Sequence, residues 1–138
     1  MIACYKRFLP RRSLKGLATF FIIGTTIGSF LSNRVKSQFG TDPVPAMSTQ
    51  IGLAHRAYHF SCFGSIALTL LLLANTSQEE ILALLFTAVL GGTIEITQYA
   101  AGMAAVFEWW DMRDDLWAIT STLGLIKFAE LMAKRRAV

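Results

Sequence analysis

The chain alternates long apolar runs with short polar punctuation, and that rhythm predicts four membrane-crossing helices. The apolar runs cover about 14–32, 57–74, 81–101 and 116–132. Each is long enough, at 1.5 Å rise per residue, to cover roughly 25–30 Å, the thickness of a hydrocarbon core. The expected fold is therefore all-α, a bundle of four transmembrane helices with short connecting loops, forming a single membrane domain over 1–138.

The punctuation is of two kinds. Asn75-Thr76-Ser77-Gln78-Glu79-Glu80 is a tight connection, in which Ser77 and Glu80 have capping-box spacing for the third helix. Arg34 to Arg56 is the longest connection, irregular around Gly40-Thr41-Asp42-Pro43 and Pro45. Within it, Met47 to His55 fits a short interfacial helix before the second span, with Met47, Ile51 and Ala54 on one side. A second irregular connection, holding Glu108 to Asp115, leads into the fourth span. Gly24 and Gly28 form a GxxxG step in the first span, read as ordinary packing within the bundle.

Composition agrees with the pattern. The chain is 54% hydrophobic and 16% charged, where soluble domains carry about 25% charged residues. The positive charge gathers at the ends, at Lys6, Arg7, Arg11, Arg12 and Lys15 and again at Lys134, Arg135 and Arg136. Clusters flanking helices in this way contact anionic headgroups. No interleaving of aromatic and basic residues supports nucleic-acid binding, so none is expected. The first apolar run follows basic residues as a signal peptide does. It lacks a convincing small-residue cleavage site, and we read it as a retained signal anchor.

Orientation follows from the same charges. With four spans the two termini share a side, and that side carries more basic residues than the other, which holds Arg34, Lys36, Arg56 and Arg113. Cytoplasmic termini are expected. Lys127, inside the fourth span, can snorkel or pair with Glu130. Cys4 and Cys62 fall at different depths, so no disulfide joins them.

Ionisable residues in the spans are costly and need partners or water. Arg56 and His59 open the second span, Glu95 and Gln98 share a face of the third, and Asp111, Asp114 and Asp115 precede or open the fourth. The topology brings all three groups to the outer leaflet, with Glu95 roughly 9 Å below the outer end of its span. Arg56, His59, Glu95, Gln98, Asp111 and Asp115 are the candidate binding site, and no catalytic residue is assigned. They suit a polar pocket open to the outside, or a polar clamp between helices. Trp109 and Trp110 suit an interfacial aromatic belt better than a substrate platform. A metal at His59, Glu95 and Asp111 is conceivable by residue type. One histidine with carboxylates does not specify it, so no metal or other cofactor is expected. No GxSxG elbow, Walker loop or CxxC pair occurs in the chain.

The ordered residues His55-Arg56-Ala57-Tyr58-His59-Phe60 with Phe63, then Glu95-Ile96-Thr97-Gln98, then Asp111, Asp115 and Ala118, resemble the VanZ-like family of small bacterial membrane proteins. The resemblance covers about 52–125. It departs from the family pattern in having His55-Arg56 for Asp-Lys, and in lacking a loop arginine near Ala104 or Ala105. Arg113 offers that charge from another position. The resemblance implies a multi-pass protein of the bacterial inner membrane, acting at the cell envelope and associated with glycopeptide-type resistance, with no established reaction. Three functions fit. The first is a non-enzymatic protein whose pocket binds a lipid headgroup or extracytoplasmic ligand. The second is an enzyme on a lipid-linked substrate, with Glu95 or Asp111 as base and His59 as acid. The third is a proton-coupled carrier using Glu95, for which four spans would require a homo-oligomer.

Reporter fusions test the orientation. Fusions after Ser77 and at the C-terminus are expected to read as cytoplasmic, and those near Asp42 and Met103 as external. A cytoplasmic signal at Asp42 would reverse the orientation and the outward site with it.

Overall fold

The computed structural model describes residues 10–38, 49–103 and 109–136, with 31–38 and 49–55 described as helical backbone only. Four helices account for almost all of these residues: α1 (Arg11–Gln38), α2 (Thr49–Leu73), α3 (Ser77–Ala100) and α4 (Trp109–Arg135). No strand occurs among the described residues. All four helices are long and apolar enough to cross a bilayer. Large apolar side chains, among them Phe20, Ile23, Leu82, Val89, Leu125 and Phe128, lie exposed along them. In water such a surface would drive association; against lipid it is the solvated surface. The chain is an all-α, multi-pass membrane protein.

The helices overrun the apolar stretches, and the overrun decides where the polar groups sit. α1 continues to Gln38 and α2 begins at Thr49, so the expected irregular connection is narrower than its composition suggests. Residues 49–55 are one unbroken helix with the second span, so a helix is present where an interfacial one was expected but without a break before the span. Met47 lies outside the described residues, as do Cys4, Ala104, Ala105 and Glu108. α4 begins at Trp109, so Trp109 to Asp115 form its first turns rather than the end of a loop. Carboxylates in a first turn favour the positive end of the helix dipole, which helps the helix start there.

α2 is the hub. It packs most extensively on α4, then on α1 and α3. The apolar core of Phe63, Ile94 and Ala118, with Cys62 and Leu90 against it, joins α2, α3 and α4. α3 starts at a cap one residue earlier than expected. Thr76, not Ser77, is the N-cap, accepting from the Glu79 N–H, while the Glu79 carboxylate takes the Asn75 backbone and side-chain N–H groups. Its other end is closed by Gly102 at φ 66°, with Gly102 N–H donating to Tyr99 O and Met103 N–H to Gln98 O. That 6→1 and 5→2 pair is a Schellman closure, which needs a left-handed residue best supplied by glycine.

Polar contacts pin the end of the bundle away from the site. Lys127 on α4 donates to Glu80 Oε2 at the start of α3 at 2.8 Å, and approaches Glu130 at 3.5 Å. The expected Lys127–Glu130 pair is thus present, but the shorter contact crosses between helices. Arg11 donates to Leu73 O at 3.3 Å, meeting a carbonyl that the end of α2 leaves open.

The helix glycines differ in what they admit. A Cβ on Gly24 would meet nothing, whereas one on Gly28 would stand 2.7 Å from Tyr58 Oη, so only Gly28 admits a close neighbour from α2. On α3 a Cβ at Gly91 would lie 2.6 Å from Asp115 Oδ2 and 3.2 Å from Phe63 Cε1. Gly91 is what lets α4 bring Asp115 against α3. Gly91→Ala is therefore expected to cost about 1–3 kcal/mol of stability through overpacking. Gly24→Ala is expected to be neutral or slightly stabilising, since Ala favours a helix over Gly. Thermal unfolding in detergent compares them; equal midpoints would show that Asp115 is not held against Gly91.

Candidate functional site

The site is built on three helices at the end of the bundle opposite Lys127. His59 comes from the third turn of α2, Glu95 from the last two turns of α3, and Asp111, Asp114 and Asp115 from the start of α4. Positions 111, 114 and 115 have i, i+3, i+4 spacing, so the three aspartates occupy one face of α4. All three are buried, together with His59 and Glu95.

His59 is the centre. Its Nδ1 lies 2.6 Å from Asp115 Oδ1, and its Nε2 lies 3.5 Å from Asp111 Oδ2. The first distance is that of a short, charge-assisted hydrogen bond; the second is longer than a good one. The imidazole stacks on Phe63 with ring centroids 6.0 Å apart and planes 16° from parallel. A stacked ring pinned through Nδ1 cannot swing, so Nε2 is aimed to one place. Ligating atoms of His59, Glu95 and Asp111 all lie within 4.8 Å of one another. Among the described residues Asp115 Oδ2 has no hydrogen-bond partner, and it is buried against Gly91.

The six residues singled out from sequence do not all play one part. His59, Glu95, Asp111 and Asp115 come together. Arg56 is at the edge: its Nε lies 3.3 Å from Asp114 Oδ2, and its side chain is 57% exposed. A ring nitrogen of His59 and a carboxylate oxygen of Glu95 lie within 4.8 Å of each other. Gln98 donates to Ser29 O at 3.1 Å and so braces α3 against α1.

Asp114 was grouped with Asp111 and Asp115 along the chain but left out of the six site residues. It receives Arg56 from α2 and also Arg113, whose Nη2 and Nε lie 2.6 and 3.0 Å from Oδ1. The signal was present in the shared spacing of the three aspartates, and was lost because they were assigned to a loop. Arg113 also lies over the Trp110 ring at 4.6 Å, while Trp109 and Trp110 are largely exposed, as an aromatic belt would be. A separate apolar groove of about 500 Å³ between α2 and α4, lined by residues such as Gly64, Leu68, Leu72 and Leu125, contains none of the site residues.

Chemically, the cluster offers oxygen acceptors around one oriented imidazole. It suits a cation, a hydrogen-bond donor or a proton in transit, and it repels phosphate and other anions. Against protein-family models, curated proteins and solved structures the chain shows no match. Fold and site together define a four-helix, multi-pass membrane protein with a buried histidine–carboxylate cluster at one end of its bundle.

The pairing is open to a double-mutant cycle on His59→Ala and Asp115→Ala, read by thermal stability in detergent. Residues in one hydrogen-bonded network couple by roughly 0.5–3 kcal/mol. We expect a coupling above about 1 kcal/mol; additivity of the two substitutions would dissolve the pair.

Proposed function

We propose that this chain is a VanZ-like protein of a bacterial inner membrane, with both termini in the cytoplasm and the histidine–carboxylate cluster facing the outside. It acts at the cell envelope, in glycopeptide-type resistance, by binding a ligand presented at the outer face of the bilayer. The observation that carries this reading is the convergence of His59, Glu95, Asp111 and Asp115. The motifs of the resemblance spread these residues over three helices, and their side chains meet in one buried cluster. Basic residues at both ends of the chain support the orientation. The chemistry of the cluster narrows the ligand to one that brings positive charge or N–H and O–H donors, such as an amine-bearing headgroup.

A second reading is favoured by one feature, the carboxylate-backed imidazole. Asp115 holds Nδ1, and Nε2 is turned toward Asp111 at 3.5 Å. That is the arrangement a general acid–base histidine needs. On this reading the protein is an enzyme on a lipid-linked substrate.

Expression in a glycopeptide-susceptible bacterium tests the proposal. The wild-type chain is expected to raise the inhibitory concentration of a glycopeptide, and Glu95→Gln and Asp115→Asn are expected not to, at equal abundance in the membrane. A wild-type chain without effect would remove the resistance role. Variants as active as the wild type would remove the site.

A further inference from the structure

We propose that His59, Glu95 and Asp111 bind a divalent transition-metal ion, zinc foremost, with Asp115 as the positioning residue behind the imidazole. This rests on reading the cluster as a binding site rather than as a brace between helices.

Three features point to a metal. The first is the donor geometry. One atom from each of the three residues lies within 4.8 Å of the other two, and the three come from three different helices. Around a tetrahedral ion with bonds of about 2.0–2.2 Å, ligand atoms stand roughly 3.4 Å apart. The 3.5 Å from His59 Nε2 to Asp111 Oδ2 is close to that edge, and it is too long for a good hydrogen bond. The pair therefore has the spacing of two ligands sharing an ion.

The second feature is the imidazole's backing. Metal-bound histidines nearly always give their other ring N–H to a carboxylate, carbonyl or water, which fixes the tautomer and raises basicity. Here Asp115 Oδ1 takes His59 Nδ1 at 2.6 Å. The second oxygen of Asp115 has no hydrogen-bond partner although the residue is only 3% exposed. With Nδ1 held by this carboxylate, Nε2 is the ring nitrogen turned toward Asp111 and the one that would ligate an ion. Phe63, stacked on the ring, and Gly91, which admits Asp115, keep that orientation.

The third feature is electrostatic. Two carboxylates brought this close within a membrane span repel one another unless positive charge lies between them. A divalent ion among the three ligands takes both negative charges at once. One imidazole nitrogen with two carboxylate oxygens is a mixed, borderline donor set. It suits zinc, and it suits the oxygen-seeking ions calcium and magnesium less well. Three protein ligands also leave a fourth position for water or an incoming ligand, as open zinc sites do. Such a position is where an oxygen or amine group from the outer face would meet the ion.

The experiment uses the full chain purified in detergent, stripped with a chelator, then equilibrated by dialysis against zinc chloride, with bound zinc counted by mass spectrometry. About one zinc per chain is expected for the wild type and for the control Lys127→Ala, which lies at the other end of the bundle. Glu95→Gln and Asp111→Asn are expected to lose most of it. Asp115→Asn is expected to bind about 10–100-fold more weakly, the usual effect of removing such a backing group. Thermal unfolding and size-exclusion profiles identify any variant that fails to fold, and cobalt(II) titration of the wild type gives a second readout, a visible spectrum of low-symmetry coordination that zinc should displace. A wild-type chain that takes up no zinc, or a folded Glu95→Gln that takes up as much as the wild type, would overturn the proposal. Dialysis does not depend on orientation or on resistance. No zinc with a resistance effect intact removes the metal alone, and zinc without a resistance effect removes the envelope role alone.

Discussion

The contact between His59 and Asp115 is the constraint around which the site end of the molecule is arranged. It joins α2 to α4, the pair of helices with the most extensive mutual packing. A polar group in a membrane span has no water to fall back on, so its partner must be supplied by another helix at the right height and rotation. Satisfying His59 from α4 fixes both for that pair. The short bond then requires α4 to approach α3 closely, because Asp115 projects past His59 toward Gly91. A side chain at 91 would occupy the place of the carboxylate oxygen. The bareness of α3 at this point and the polar pair between its neighbours are two sides of one packing solution.

The apolar core and the polar cluster are stacked rather than mixed. Phe63 belongs to both, packing with Ile94 and Ala118 and stacking on the His59 ring. Apolar contacts carry little net driving force between helices in lipid, where the surroundings are equally apolar, so close packing and polar bonds set helix association instead. This bundle divides the work by height. The cluster and the Gln98–Ser29 bond act at one end, the Lys127–Glu80 and Arg11–Leu73 contacts at the other, and the core lies between. The exposed aromatic residues at the start of α4 sit beside the cluster, where Arg113 links Trp110 to Asp114.

An oriented imidazole among carboxylates is a poor choice for a mere brace. A hydrogen-bonded pair of neutral groups, such as Gln98 with the Ser29 carbonyl, ties helices without collecting like charges. Bringing Glu95 and Asp111 beside His59 adds repulsion that a brace has no need of. The arrangement makes sense if something positive, a proton or a cation, is to be received there. The exposed Arg56 and the half-buried Arg113 both pair with Asp114, while His59 lies beside Glu95 and Asp111.

The number of helices, their type and the end of the bundle that carries the ionisable residues were determined by the sequence itself. Long apolar runs admit one solution in a bilayer, and the position of His59 near the start of one run and Glu95 near the end of the next puts them at one height whatever the helix rotations. Partner choice was decided only by tertiary structure. Each residue turns a helix by about 100°, so which acid faces which base depends on rotations and approaches that hydrophobicity does not record. Arg56 therefore went to Asp114 and Gln98 to Ser29, and His59 came beside Glu95 and Asp111. The start of α4 was hidden for a related reason. Trp109 to Asp115 read as a polar loop along the chain, and they are helix because their aspartates are buried and bonded across to α2. Polarity seen in one dimension cannot distinguish a solvated loop from a helix face whose charges are met by a neighbour.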